Sequence, residues 1–109
     1  MGVFAVGEVV LVPFPYADFS KIKKRPALIV GKAEFDNLIL CQITSKAHTS
    51  KHAIGIQSKD FEKGKLPVNS YIRYDKLFTI EQSIIESKLG LLNTERLGQI
   101  KASIRSLFD

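Results

Sequence analysis

Residues 7–30 read GEVVLVPFPYADFSKIKKRPALIV, and this stretch decides the fold class. Glu8 to Val12 is a nearly unbroken β-branched and apolar run, the pattern of a buried strand. Pro13 and Pro15 bracket Phe14 and are expected to stop it, because proline cannot donate to a sheet ladder. Tyr16 to Lys24 is polar, with Asp18, Ser20 and three lysines, and is expected to be a loop longer than the usual four to six or so residues. Loops of that kind often carry function. Arg25 then opens a second strand, with Pro26 tolerated at its start and Ala27 to Gly31 apolar.

Working outward, the remainder repeats the theme of short strands. Asp36-Asn37 separates two apolar runs and reads as a hairpin, since both residues tolerate positive φ. Leu38 to Thr44 is the returning strand. Ser45 to Lys51 is loop-like, Ala53 to Gln57 alternates as a strand, and Glu62 to Pro67 reads as a turn. Ser70 to Tyr74 is a strand with a bent continuation at Leu77 to Thr79, and Ser83 to Leu91 a last strand whose Gly90 suggests a bulge. The period then changes: Leu97, Ile100, Ile104, Leu107 and Phe108 recur at helical spacing, Asn93 or Thr94 can cap, and Glu95 suits the first turn. The expected architecture is mainly β, a small curled antiparallel sheet or barrel with a C-terminal α-helix across it.

At 109 residues without a break in composition, one domain spanning 1–109 is expected. The apolar fraction of 45% is enough for a real core and excludes disorder. A domain this small with an exposed working face gains from pairing with a second copy, so a homodimer is expected. Sixteen Lys and Arg against eleven Asp and Glu give a net charge of +5, which favours polyanionic partners. Lys21, Lys23, Lys24 and Arg25 cluster; Lys59, Lys63 and Lys65 form a looser group that reads as a solvated loop. The single cysteine, Cys41, excludes an internal disulfide and sits in an apolar run as a core thiol. No signal-like segment is present and no apolar run approaches the ~18 residues of a membrane span, so a cytoplasmic protein without membrane association is expected.

Arg25, Thr44-Ser45, Arg73 and Asp75 stand at strand ends, and their chemistry suits one task. RNA cleavage by internal attack needs a base near the 2′-hydroxyl, cations for the phosphorane and a donor to the leaving oxygen. Asp75 can be the base, Arg25 and Arg73 can fork onto phosphate, and Thr44 or Ser45 can add a neutral donor. Arg73 and Asp75 are two apart and share a strand face, so they could share one phosphate; from spacing alone a same-face surface ion pair worth at most ~1 kcal/mol is the preferred reading. His48 and His52 have a metal-like spacing, but Thr, Ser and Lys lie between them and no third ligand is near, so a solvated loop is the preferred reading. Neither a Walker-type phosphate loop nor a histidine-glutamate metalloprotease motif occurs. Phe14, Tyr16 and Phe19 flank the basic loop, an arrangement that suits base stacking, though Phe14 serves equally as core.

GEVVLVPFPYADFSKIKKRPALIV resembles the N-terminal signature of the PemK/MazF family. QITSK (42–46) is similar to its next motif, and SYIRYDKLFTI (70–80) with GLLNTERLGQIKASI (90–104) to its last strands and helix. The resemblance implies an SH3-like barrel homodimer, the toxin of a type II toxin-antitoxin pair, cutting single-stranded RNA without metal or other cofactor. The expected products are a 2′,3′-cyclic phosphate and a 5′-hydroxyl. Arg25 matches the catalytic arginine of the Arg-Pro-Ala motif, Thr44 the hydroxyl residue, and Arg73 and Asp75 the Arg-x-Asp pair of the PemK-like branch. Ser20, Lys21, Lys23, Lys24, Ser45 and Lys46 are expected to bind RNA. The resemblance further implies an antitoxin whose acidic, apolar tail blocks the RNA groove, with Lys21 to Arg25 as its landing site. Two other functions compete: a non-catalytic RNA- or antitoxin-binding module, and a gyrase poison of the same fold. The four candidate residues together argue against the first; the absence of a C-terminal Trp and the Arg-Pro-Ala and Arg-x-Asp motifs argue against the second.

Overall fold

The computed structural model describes residues 3–15, 22–46 and 50–109. Seven strands precede one helix: β1 (Glu8–Pro15), β2 (Ile22–Lys32), β3 (Asn37–Thr44), β4 (Ala53–Ile56), β5 (Phe61–Gly64), β6 (Ser70–Glu81), β7 (Ser87–Leu92) and α1 (Thr94–Ser106). They form one antiparallel sheet in the order β4-β6-β3-β2-β1-β7-β5, curled into a half-barrel. The expected mainly β architecture with a terminal helix is the one that forms.

Both faces of the central strands are covered, which explains why Glu8 to Val12 lacks clean alternation. On one face Val9, Leu28, Cys41, Ile43 and Ile72 pack with Leu92 and with Ile100 of α1. On the other, Val10, Val12, Ala27, Ile29, Leu38 and Leu40 pack beneath Phe14 and Phe78, whose rings meet edge-on at 4.9 Å. Phe14 is therefore a packing residue. Cys41 is fully buried, as expected, and desolvation, with a smaller contribution from the charge of Asp75, pushes its thiol up to about 12.

The prolines do not stop β1, which pairs with β2 through Pro13↔Lys24 and Pro15↔Ile22. In an antiparallel strand the N–H and C=O of one residue point to the same side, and successive residues alternate. The carbonyl of Leu11 accepts from the N–H of Glu86 on the β7 side. Pro13 and Pro15 share that parity and face the flank where the β1–β7 pairing has ended at Leu11↔Ser87. No ladder bond is lost there. Strand β2 correspondingly starts at Ile22 rather than Arg25, so the expected loop loses its last three residues to β2 while Tyr16 to Lys21 lie outside the described residues. Pro26 precedes Ala27↔Gln42, where the pairing with β3 begins.

Other boundaries move for equally local reasons. The β2–β3 turn places Phe35 and Asp36 at φ of 61° and 62°, one residue earlier than the Asp36-Asn37 expectation. Strand β5 occupies part of the expected Glu62 to Pro67 turn. Gly64 has φ +69°, and a Cβ on Gly90 would lie 2.7 Å from the Lys63 carbonyl, so the two strands meet backbone to backbone. The bulge anticipated near Gly90 falls at Leu89, between Val9↔Gly90 and Val10↔Lys88. Strand β7 itself starts only at Ser87, after a 3₁₀ turn at Gln82–Ile84. Asn93 caps α1, its side chain accepting from the Arg96 N–H at 2.8 Å. Phe108, expected on the helix's apolar face, lies past its end and is 76% exposed. Among the described residues no helix is long and apolar enough to cross a membrane.

Candidate active site

The strand Ser70–Glu81 runs unbroken through its expected bend, but its register against β3 jumps from Gln42↔Arg73 to Cys41↔Leu77. Tyr74, Asp75 and Lys76 are the excess residues, and such a bulge redirects side chains. Within this irregular stretch Asp75, two residues on from Arg73, meets it on the same strand face. The guanidinium donates from Nε to Oδ1 at 3.1 Å and from the terminal nitrogen to Oδ2 at 3.0 Å, a two-pronged fork. The hydrogen bonds from Arg73 hold the Asp75 carboxyl below the ordinary carboxylate range, and the same bonds raise Arg73 further above its usual value.

His52 joins this pair. Its Nδ1 lies 3.8 Å from Asp75 Oδ2, and its ring stands edge-on to Tyr74 at 5.6 Å. The Tyr74 N–H donates to the His52 carbonyl and the Tyr74 hydroxyl to the Lys51 carbonyl, each at 3.2 Å, while the His52 N–H donates to Ser50 Oγ. His52 lies in the turn before β4 with its side chain 36% exposed, in keeping with the loop reading, and the pairing of β4 with β6 from Ala53↔Arg73 brings it near the carboxylate. His48 lies outside the described residues.

Register relates this cluster to the other candidates. Directly opposed residues in antiparallel strands share a sheet face. Ala27↔Gln42 and Gln42↔Arg73 form one row across β2, β3 and β6. Two residues along, the next row holds Thr44↔Tyr71 and, continuing the β2–β3 register, Arg25. Arg25, Thr44 and Arg73 therefore lie on one face, and strand spacing puts the two arginine backbones roughly 10–12 Å apart. Thr44 is only 8% exposed. Its Oγ1 accepts from the Lys46 N–H at 3.2 Å, which leaves its own hydroxyl proton available to a ligand.

Arg25 and Thr44 also border a groove of about 460 Å³, lined on its polar side by Lys23, Lys24, Ser45 and Lys46 and elsewhere by Leu66, Pro67 and Val68. The structure thus brings together most of the expected RNA-binding residues; Ser20 and Lys21 lie outside the described ones. Arg73 and Asp75 do not line the groove. The groove's lining includes Ile43, Leu66 and Leu89 of the cluster that contains Leu28 and Ile100, whereas Arg73 shares the other sheet face with Ala27; Arg25 and Thr44 belong to both the groove's border and Arg73's face. Lys59, Lys63 and Lys65 are exposed and are not part of the groove's lining, as expected for solvated charges.

Residues 5–108 match the family described as PemK-like, MazF-like toxin of type II toxin-antitoxin system, and the chain belongs to that family. No curated protein matches it in sequence. The fold is similar to a mycobacterial endoribonuclease solved with its cognate antitoxin, at TM-score 0.76 and 15% identity over 97% of this chain and 95% of that one. A MazE–MazF complex from Deinococcus radiodurans gives TM-score 0.77 and 20% identity, covering 99% and 97%. Mycobacterium tuberculosis toxin MazF-mt6 gives 0.67 and 17%, covering 92% and 96%.

Proposed function

We propose that this toxin is an endoribonuclease that cleaves single-stranded RNA without a metal, by attack of a 2′-hydroxyl on the adjacent phosphate. The observation that carries the reading is the Arg73–Asp75 fork with His52 against it, on the sheet face shared by Arg25 and Thr44. In the step, the 2′-oxygen loses its proton to a base and bonds to phosphorus, the bond to the 5′-oxygen breaks, and that oxygen is protonated. A cyclic phosphate and a 5′-hydroxyl result.

The resting fork suits neither half of this proton traffic, because Asp75 is made a weaker base and Arg73 a weaker acid. An incoming phosphate competes for the Arg73 guanidinium and restores basicity to Asp75. His52, with Nδ1 3.8 Å from the same carboxylate, is the nearest side chain among the described residues to receive the proton after Asp75. Arg73 and Arg25 then stabilise the charge building on phosphate, and the Thr44 hydroxyl donates a further hydrogen bond. The roles of Lys23, Lys24, Ser45 and Lys46 are to hold the flanking strand in the groove. The same reading takes the protein to be a cytoplasmic homodimer silenced by a cognate antitoxin. Similar structures solved in complex with an antitoxin support that partner, as does the basic groove.

Incubation of a long single-stranded RNA with the protein in EDTA, beside Arg25→Ala, tests the proposal. Discrete cuts ending in cyclic phosphate are expected, with the variant slower by about 100- to 1000-fold, the usual loss when one charge-stabilising donor is removed. Intact RNA that nevertheless binds would make the protein a non-catalytic RNA-binding module.

A further inference from the structure

The groove bordered by Arg25 and Thr44 is chemically two-sided. Four cations, Lys23, Lys24, Arg25 and Lys46, come from the ends of β2 and β3, and no acidic side chain lines it among the described residues. The apolar side has a floor of Leu11, Pro26, Ile43 and Leu89 and a wall of Leu66, Pro67 and Val68 from the connection that crosses from β5 to β6. Val68 is 56% exposed, a large apolar side chain that no packing within the described residues accounts for. It is nevertheless held in place. Leu66 roots the segment in the core, the Ser70 hydroxyl donates to the Val68 carbonyl at 3.1 Å, and Gly64 at φ +69° fixes the departure from β5.

We infer that the Leu66–Pro67–Val68 wall seats one unpaired base of the RNA, beside the phosphates held by the cations. This rests on the ribonuclease reading given above. A polyanion with apolar faces at each unit is the ligand whose chemistry repeats both sides of the groove. An acidic peptide would match the charge as well; the ribonuclease reading, in which Arg25 and Thr44 at the groove's border contact the phosphate, selects RNA, and the peptide is an outcome of the test. The seat lies next to the scissile linkage and contributes to the choice of cleavage sequence, since single-stranded RNA is read through splayed bases. Lys24 is shared with Glu86 at 3.1 Å, so Lys23 and Lys46 carry more of the phosphate contact.

Binding of a short 2′-O-methyl RNA oligonucleotide, which cannot be cut by 2′-attack, tests the seat by fluorescence anisotropy. An abasic site is moved along the oligonucleotide, against wild type and Val68→Ser. One abasic position should weaken wild-type binding by about five- to tenfold, the range of one apolar base contact, and should cost Val68→Ser less than about twofold. The larger Val68→Phe should deepen the penalty at that same position. Unchanged melting temperatures show that the variants fold. An abasic penalty equal in wild type and Val68→Ser overturns the seat; if wild type still cuts RNA, the proposed function survives that result. Failure of wild type either to bind the oligonucleotide at low salt or to cut RNA removes both. Val68-dependent binding of an acidic leucine-containing peptide, with an abasic penalty indifferent to Val68, assigns the groove to a peptide and overturns the seat as well.

Discussion

Asp75 is held by the two-pronged fork from Arg73, and the fork makes two predictions. Because Arg73 depresses its folded-state pKa, the carboxylate contributes stability that is present above the ordinary carboxyl range and lost as pH falls through the depressed value. Urea titrations of wild type and Asp75→Asn should therefore differ by a constant amount above roughly pH 4 and converge in more acid solution. Arg73→Lys keeps the charge but loses the fork, so cleavage should fall by about 100-fold with little change in melting temperature. Near wild-type cleavage would mean that geometry at this residue is immaterial. Cys41 provides a control in the core: with its thiol raised to about 12, a thiol reagent at pH 8 should label the folded protein only at the rate of unfolding. The Arg73–Asp75 fork was legible from a spacing of two on one strand. His52 was not, because its partner is chosen by the β4–β6 register and by a bulge that the local sequence does not announce.

At the level of elements, strand β5 exists because two glycines let backbones touch. A Cβ at position 90 would lie 2.7 Å from the Lys63 carbonyl and 2.8 Å from the Phe61 ring. Gly90→Ala should thus cost on the order of 1–3 kcal/mol, read from denaturant midpoints at unchanged slope. Asn93→Ala should cost about 1 kcal/mol through the lost cap of α1. The cap was legible because a helix start has a chemical signature. Strand β5 was not: Phe-Glu-Lys-Gly exposes all but its phenylalanine and carries turn-like composition, so only tertiary pairing makes it a strand.

Across the whole molecule, the net charge of +5 is expressed at one groove whose described lining holds four cations and no acid. If each neutralises one phosphate, at 0.7 per contact on a single strand, log K for RNA should fall against log salt with a slope of about −3. A flat response would exclude phosphate contacts there. The overall topology was legible because apolar runs, turn residues and the final helical period agree with one another. What escaped was the meaning of Pro13 and Pro15. Past Leu11 they leave the outer flank of β1 with carbonyl oxygens and, at those two positions, no amide hydrogen to offer. A stray strand approaching that flank finds half a handshake and cannot zip on. The protein can in this way keep a long apolar hairpin next to an open basic groove without growing into fibrils. Restoring the missing donors with Pro13→Val and Pro15→Thr should convert that quiet flank into a template for polymerisation, visible as rising light scatter.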